Sequence, residues 1–340
     1  MFESATEDQA YAILAAAHQV VQQVLVATDP RSDRGNGVVV AAGRLLFIPP
    51  VDVTPADLPR IEPQELARAV GGDAELAEHA AALIACASLA DGQIDSARLR
   101  RVVEYAHAMH VRDGWVRELL QVARGHLAWA MADMTRRNIS TFPGWANPDD
   151  TLKPMQPYEA QTDDDKRLAE RFLALEQLPK NSYGHQFWAH FRKHGFAFPG
   201  EKQAFTSFFA VPHDGLHVLT GYSTSIQGEL LVSTFTGAMH RRDGLRAHIL
   251  PVIFEWHVGH DVNGIGEQQS ALDPTKFLIA WQRGEATATD VLSADWDFFA
   301  AAERDLEELR WTYGIPPLLP ADAADGGEVT VAGNADPYAN

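Results

Sequence analysis

The stretch LIACASLADGQIDSARLRRVVEYAHAMHV, Leu83 to Val111, reads as two helices around a tight corner. A small-residue run, Ala82 to Leu89, is apolar and helix-forming. Asp91-Gly92 ends it, and Asp95 or Ser96 caps a second helix over Arg98 to His110. Asp91, Gly92 and Asp95 imitate the start of a calcium loop, but the bidentate Glu that closes such a loop is missing at its offset. The corner therefore reads as helix capping. Text of the same kind surrounds it: from Pro63 to Arg137 the chain is Ala-rich and periodic, broken only at Gly71-Gly72, Asp91-Gly92, Gly114 and Gly125. An all-α fold is expected.

Working outward, apolar residues between Asp8 and Val26 repeat at helical spacing. A break follows at DPRSDRGNG, and Val38 to Ile48 reads as a short hairpin or extended segment before a run of prolines. Phe142 to Asp165 is rich in Pro and Asp, as a linker would be, and a second helical block runs from Lys166 to about Tyr313. After Pro320 no core-forming pattern remains. The expected organisation is an N-terminal helix and extension (1–62), a helical domain (63–141), a linker (142–165), a second helical domain (166–320) and a disordered tail (321–340). At ~150 residues per domain, 340 residues fit two domains or one large one.

Composition narrows the partners. With 28 Lys+Arg against 46 Asp+Glu the net charge is −18, which repels nucleic-acid phosphates and disfavours anionic membranes. The single cysteine, Cys86, cannot form an intramolecular disulfide, and its small-residue helix makes it a buried, inert thiol. Glu3, Glu7 and Asp8 stand where a leader peptide needs basic residues, and no apolar run approaches the ~20 residues of a membrane span. A cytoplasmic protein, at most peripheral to a membrane, is expected. Arg34 to Gly37 lacks the Lys-Ser/Thr of a phosphate loop, and no G-x-S-x-G elbow occurs, which sets aside nucleotide-driven enzymes and serine hydrolases.

The chemistry concentrates in PHDGLHVLTGYSTSIQGELLVSTF, Pro212 to Phe235. On a helix His213, Asp214 and His217 fall at about 0°, 100° and 40°, within one third of the circumference. Gly221 stops that helix, Ser223 or Thr224 caps the next, and Glu229 arrives in its first turn, able to fold back as a fourth ligand. Two imidazoles and two carboxylates suit Zn²⁺ or Fe²⁺ better than Ca²⁺ or Mg²⁺. Four such ligands leave an open position only if one is displaced or the coordination expands. Downstream, His257, His260 and Asp261 would also share a helix face. They could supply a second metal or a general base near the first site, but positions behind the ligands or on the surface suit them better, with His257 kept as a candidate catalytic residue. Phe187, Trp188, Phe191, Phe205, Phe208, Phe209 and Tyr222 gather before and at the motif, most as core and some as the wall of an apolar channel. Arg192 and Lys193 make a locally basic helix end.

Two resemblances follow. The corner Ala90-Asp91-Gly92-Gln93-Ile94-Asp95, within Gln64 to Ile139, resembles that of the tellurite-resistance TerB-like helical domain. His213, Asp214, His217 and, after eleven residues, Glu229 resemble the signature of the coenzyme Q (ubiquinone) biosynthesis protein 4 family. Upstream, Leu178, Pro179, Gly184, Phe187, Phe191, His194 and Gly195 fit that family's preceding segment. Downstream, Asp305, Leu306, Leu309, Arg310, Gly314, Ile315 and Pro317 fit its closing pattern. Asn181 and the stretch GAMHRRDGLRAHILPVIFEWHVGHDVN depart from it, marking a divergent branch.

The second resemblance implies an all-α domain with a divalent metal on the four motif residues, zinc first and iron or magnesium as alternatives. The metal would lie beside a channel for an isoprenoid chain. It implies a metal-dependent decarboxylase or oxygenase that removes a ring carboxyl from a prenylated aromatic substrate and hydroxylates that carbon. The open metal position would act as a Lewis acid; if oxygen is used, iron or a substrate radical must take the electrons, because zinc cannot. The alternative is a non-catalytic isoprenoid-binding scaffold with a structural metal, serving biosynthetic protein partners. A stress-response module sensing through the first domain is a third reading, and a homo-oligomer is compatible with each.

Overall fold

Each glycine or proline break between Pro63 and Arg137 separates two helices in the computed structural model, which describes residues 2–22, 30–142, 162–240, 243–261 and 272–323. The N-terminal half comprises α1 (Glu7–Gln22), α2 (Pro30–Leu46), α3 (Pro63–Val70), α4 (Ala74–Leu89), α5 (Ser96–Ala108), α6 (Gly114–Ala123) and α7 (Leu127–Thr141). A reciprocal capping box between Glu62 and Glu65 starts α3, and Asp73 accepts from the Leu76 amide to start α4. Its alanines let α4 sit at the centre, buried from Ala80 through Leu89 and packed by α1 and α5. At the Leu83–Val111 corner the Asp95 carboxylate accepts from the Ala97 and Arg98 amides, at 2.8 and 2.9 Å. Asp91 pairs with the buried Arg98 guanidinium at 2.8 Å. Both aspartates thus serve the turn. Cys86 is buried, and burial pushes its thiol pKa far up.

One expectation is corrected. Val38 to Leu46, read as hairpin or extended, belongs to α2. Val38, Val39 and Ala42 are buried at helical spacing, and packing between α1 and α13 (Pro274–Ala286) overrides the weak helix preference of the glycines. Gly35 there serves close approach rather than a turn: a Cβ on it would stand 2.5 Å from Val21 Cγ1.

The C-terminal half contains α8 (Asp163–Leu173), α9 (Tyr183–His194), α10 (Ser207–Thr220) and α11 (Ile226–Met239). A π-helical turn, Leu245–Ile249, then runs directly into α12 (Leu250–Trp256). After α13 come α14 (Phe298–Ala302), α15 (Leu306–Tyr313) and α16 (Pro320–Ala323). The pair α11 and α13 forms the centre, while Phe172, Phe187 and Phe298 interlock to seat α9. Asn181 Nδ2 donates to the Asp305 carboxylate at 2.6 Å, and the Leu306 amide donates to Asn181 O at 2.9 Å. The start of α9 is thereby tied to the start of α15. Among the described residues no β-strand occurs, only isolated bridges, and no helix is long and apolar enough to cross a membrane.

The halves share one hydrophobic core. α2 lies against α13, with Gln282 Nε2 donating to Leu45 O at 3.0 Å. α7 lies against the π-turn. There Arg246 reaches back to Glu118 on α6 at 2.6 Å and to Asp133 on α7 at 2.7 Å, all three buried. Most of the expected linker, 143–161, and most of the expected tail, 324–340, lie outside the described residues.

Candidate metal centre

α10 carries both motif histidines. Arg310 on α15 donates to the carbonyls of Val218 and Leu219, each at 2.8 Å, and Arg283 on α13 donates to Thr220 O at 2.9 Å. These guanidiniums satisfy carbonyls that a helix end leaves without intrahelical partners. Gly221, with φ at 80°, turns the chain out. Ser225, one residue beyond the expected Thr224, caps α11 by accepting from the Gly228 amide at 3.1 Å, which puts Glu229 in the first turn. The other end of the site is set by α9. It crosses so close that a Cβ on Gly215 would collide with the Tyr183 hydroxyl.

His213 Nε2 lies 3.2 Å from one Glu229 carboxylate oxygen and His217 Nε2 lies 3.3 Å from the other. The three donor atoms fall within 4.8 Å of one another. Four-coordinate zinc with ligands at about 2.0–2.1 Å places neighbouring donors about 3.3 Å apart, and each histidine already stands at about that distance from a different Glu229 oxygen. His217 supplies a second test. Its Nδ1 lies 2.9 Å from the Tyr222 carbonyl and donates to it, so in the neutral ring that a metal would bind the lone pair stands on Nε2. That Nε2 is buried and makes no well-formed hydrogen bond. A nitrogen so oriented fits a metal.

Burial lowers the affinity of His217 for a proton, but Glu229, helped by Asp214 and the Tyr222 carbonyl, reverses the effect and raises its pKa to about 9. Burial likewise pushes Glu229 up, and His217 and His213 more than compensate, holding it well below the usual carboxylate range. Without metal the two groups form an ion pair. A metal must displace its proton.

Of the expected ligands, the structure brings His213, His217 and Glu229 together. Asp214 turns to α9, where its Oδ1 lies 3.4 Å from His190 Nε2, and the His190 ring stacks on His217 at 5.7 Å. His257 differs more from its expected place. α12 ends at Trp256, so no helix face joins His257 to His260 and Asp261. The fully buried His257 ring donates from Nε2 to Ala90 O at 2.9 Å and accepts at Nδ1 from the Leu272 amide at 3.1 Å. Both nitrogens are used in tying the Ala90 corner to the C-terminal half, away from the metal centre. The expected catalytic part for His257 has no free ring atom to perform it.

A cavity of about 580 Å³ opens beside the triad, lined by His213, Asp214 and Glu229 together with mostly apolar and aromatic side chains. Phe191, Phe205 and Phe209 are among them; Phe187 and Tyr222 are core. Two exposed aromatics, Phe196 and Phe205, stand on its lining. Sequence reading did not single out His190, His248 or Asn138 at this site. The i,i+4 pair His190/His194 on a helix was the available signal for the first, and none existed for Asn138. Comparison with family models, curated proteins and solved structures returns no match.

Proposed function

We propose that the protein is a metal-dependent enzyme acting on an aromatic carboxylate, prenylated or otherwise apolar: the ring carboxyl leaves as CO₂, a hydroxyl takes its place on that carbon, and dioxygen accepts the two electrons released. The observation that carries this reading is the placement of a two-histidine, one-glutamate donor set on the wall of an apolar cavity. Three protein donors leave a coordination position open, as catalytic zinc sites do, and the same donor set suits non-haem iron. A metal there would supply Lewis-acid stabilisation of the charge released as CO₂ departs. The chain's own part is to orient. Tyr222 O fixes the His217 tautomer, Asp214 and His190 pack behind the ligands, and the aromatic wall excludes water from the ring.

Elemental analysis of protein purified without a metal-affinity step, paired with mass spectrometry of bound small molecules, tests the proposal. One equivalent of zinc or iron is expected, lost in His217→Ala together with turnover, while helical content stays nearly intact. Full activity in a metal-free preparation would overturn it. Bound isoprenoid without turnover, with unfolding on chelation, would favour the scaffold reading instead.

A further inference from the structure

A second cleft lies wholly in the N-terminal half, between α1, α5 and the segment that leads into α3. Its volume is about 700 Å³, and it shares no lining residue with the cavity at the metal centre. Three arginines, Arg60, Arg100 and Arg101, line it in a chain whose net charge is −18. The rim is held in place. Ile61 donates its amide to Gln19 Oε1 at 2.9 Å and accepts from the Tyr105 hydroxyl at 2.6 Å. A site fixed in advance loses less affinity to ordering.

The three arginines are not alike. Arg101 is clamped by Glu62 at 2.8 Å and by Glu104 at 2.9 Å, and it lies over the Tyr105 ring. Its charge is answered within the protein, although its Nε is buried without a hydrogen-bond partner. Arg60 and Arg100 are exposed, and among the described residues neither forms an ion pair; Arg100 makes one long contact, 3.4 Å, to Ala123 O. A carboxylate ligand would balance one of these two guanidiniums. A phosphate monoester, at about −1.5 to −2 near neutral pH, balances both. Acceptors share the lining. His18 Nδ1 donates to Asn36 Oδ1 at 3.0 Å, and burial lowers the pKa of the ring, so the lone pair of neutral His18 stands on Nε2. Glu104 holds Arg101 through Oε2, which leaves Oε1 to accept.

We infer that this cleft binds a small, hydroxyl-bearing phosphate ester, its phosphate on Arg60 and Arg100 and its hydroxyls on His18 Nε2 and Glu104 Oε1. Nucleic acid is disfavoured, because the net charge of −18 repels a polyanion. A lipid ester is disfavoured too. Among the described residues the apolar part of the lining is Leu58, Pro59 and Ala97, too little to cover an acyl chain. The site stands apart from the metal centre and from the function proposed for it.

The test uses the full chain and three probes, ribose 5-phosphate, inorganic phosphate and ribose, with affinities read by calorimetry at physiological ionic strength. Ribose 5-phosphate is expected to bind saturably, one per chain, at least about tenfold tighter than inorganic phosphate, the span of one good hydrogen bond. Ribose, without the charge, is expected to bind at least about 100-fold more weakly than its phosphate. The double variant Arg60→Gln, Arg100→Gln is expected to lower the affinity for ribose 5-phosphate by about 100-fold, tenfold for each charged contact, with the thermal unfolding midpoint unchanged because both side chains are exposed. If the double variant does not fold, each single substitution serves, at about tenfold. His18→Ala is expected to shrink the preference over inorganic phosphate while the affinity for inorganic phosphate itself holds. No saturable binding of ribose 5-phosphate, equal binding of ribose, an affinity that survives the arginine substitutions or a preference that survives His18→Ala overturns the inference. None of these readouts involves zinc, so failure of the metal reading leaves them standing.

Discussion

Arg310 Nε donates to Leu219 O, so a residue from the last major helix holds the end of the helix that carries both metal-facing histidines. The second nitrogen, on Val218 O, makes the grip bidentate. Removing it frees two carbonyls one residue or two beyond His217. Arg310→Ala is expected to lower zinc affinity by about 10–100-fold, the usual scale for a partner behind the ligands, with little change in helical circular dichroism. Unaltered zinc affinity in a competition titration would show that α10 needs no such clamp.

The pairing of His217 with Glu229 predicts how metal uptake depends on pH. Below about 9 His217 holds the proton that zinc must displace. Apparent affinity therefore rises by about tenfold per pH unit from neutrality to that value and then levels off. In metal-free protein the sign reverses. A raised histidine pKa stabilises the fold fully below the ordinary value of about 6.5, and that contribution is lost as pH rises through about 9. Chelator-competition titrations at several pH values, with thermal unfolding of the metal-free protein alongside, check both halves of the prediction.

Asp214 and Glu229 should separate experimentally. Because Asp214 faces His190 while Glu229 spans both histidines, Glu229→Gln is expected to abolish stoichiometric zinc binding. Asp214→Asn should retain one zinc per chain with affinity reduced by no more than about tenfold to 100-fold. Loss of zinc in both variants would make Asp214 a direct ligand.

His257 is neutral inside the protein, burial lowering its pKa to about 4 against the raising effect of the Ala90 carbonyl. A depressed histidine stabilises the fold above its unfolded value of about 6.5, and the stabilisation drains away as pH falls towards 4. At pH 5 the loss is about 2 kcal/mol. Urea unfolding at pH 7.5 and pH 5, in wild type and His257→Gln, should show a smaller pH difference in the variant. An identical difference in both would leave the acid sensitivity to other groups.

What could be read from the chain was local. Asp95 and Gly221 announce helix ends because a cap is a contract between neighbours in sequence, and the end of α4, the start of α5 and the end of α10 follow from such signals. α2 escaped for the same reason inverted: its glycines look like turns until Val21 is seen pressed against Gly35. At the site, periodicity put His213 and His217 on one face, and the break before Ile226 delivered Glu229 to them. Periodicity alone cannot say that α9 draws Asp214 towards His190, or that Trp256 ends its helix and sends His257 to Ala90. Those outcomes depend on which helix crosses which, as does the arrival of Asn138 beside a residue 110 positions away.

Arg246 sets a limit on dissection. Its counter-charges, Glu118 and Asp133, belong to the other half of the chain. A truncation that begins at Thr162 would remove both of them together with the α6 and α7 faces that cover the π-turn, and would open that seam to water. Gene architects who want the half with the candidate metal centre by itself must therefore redesign the apolar surface that α7 would leave bare.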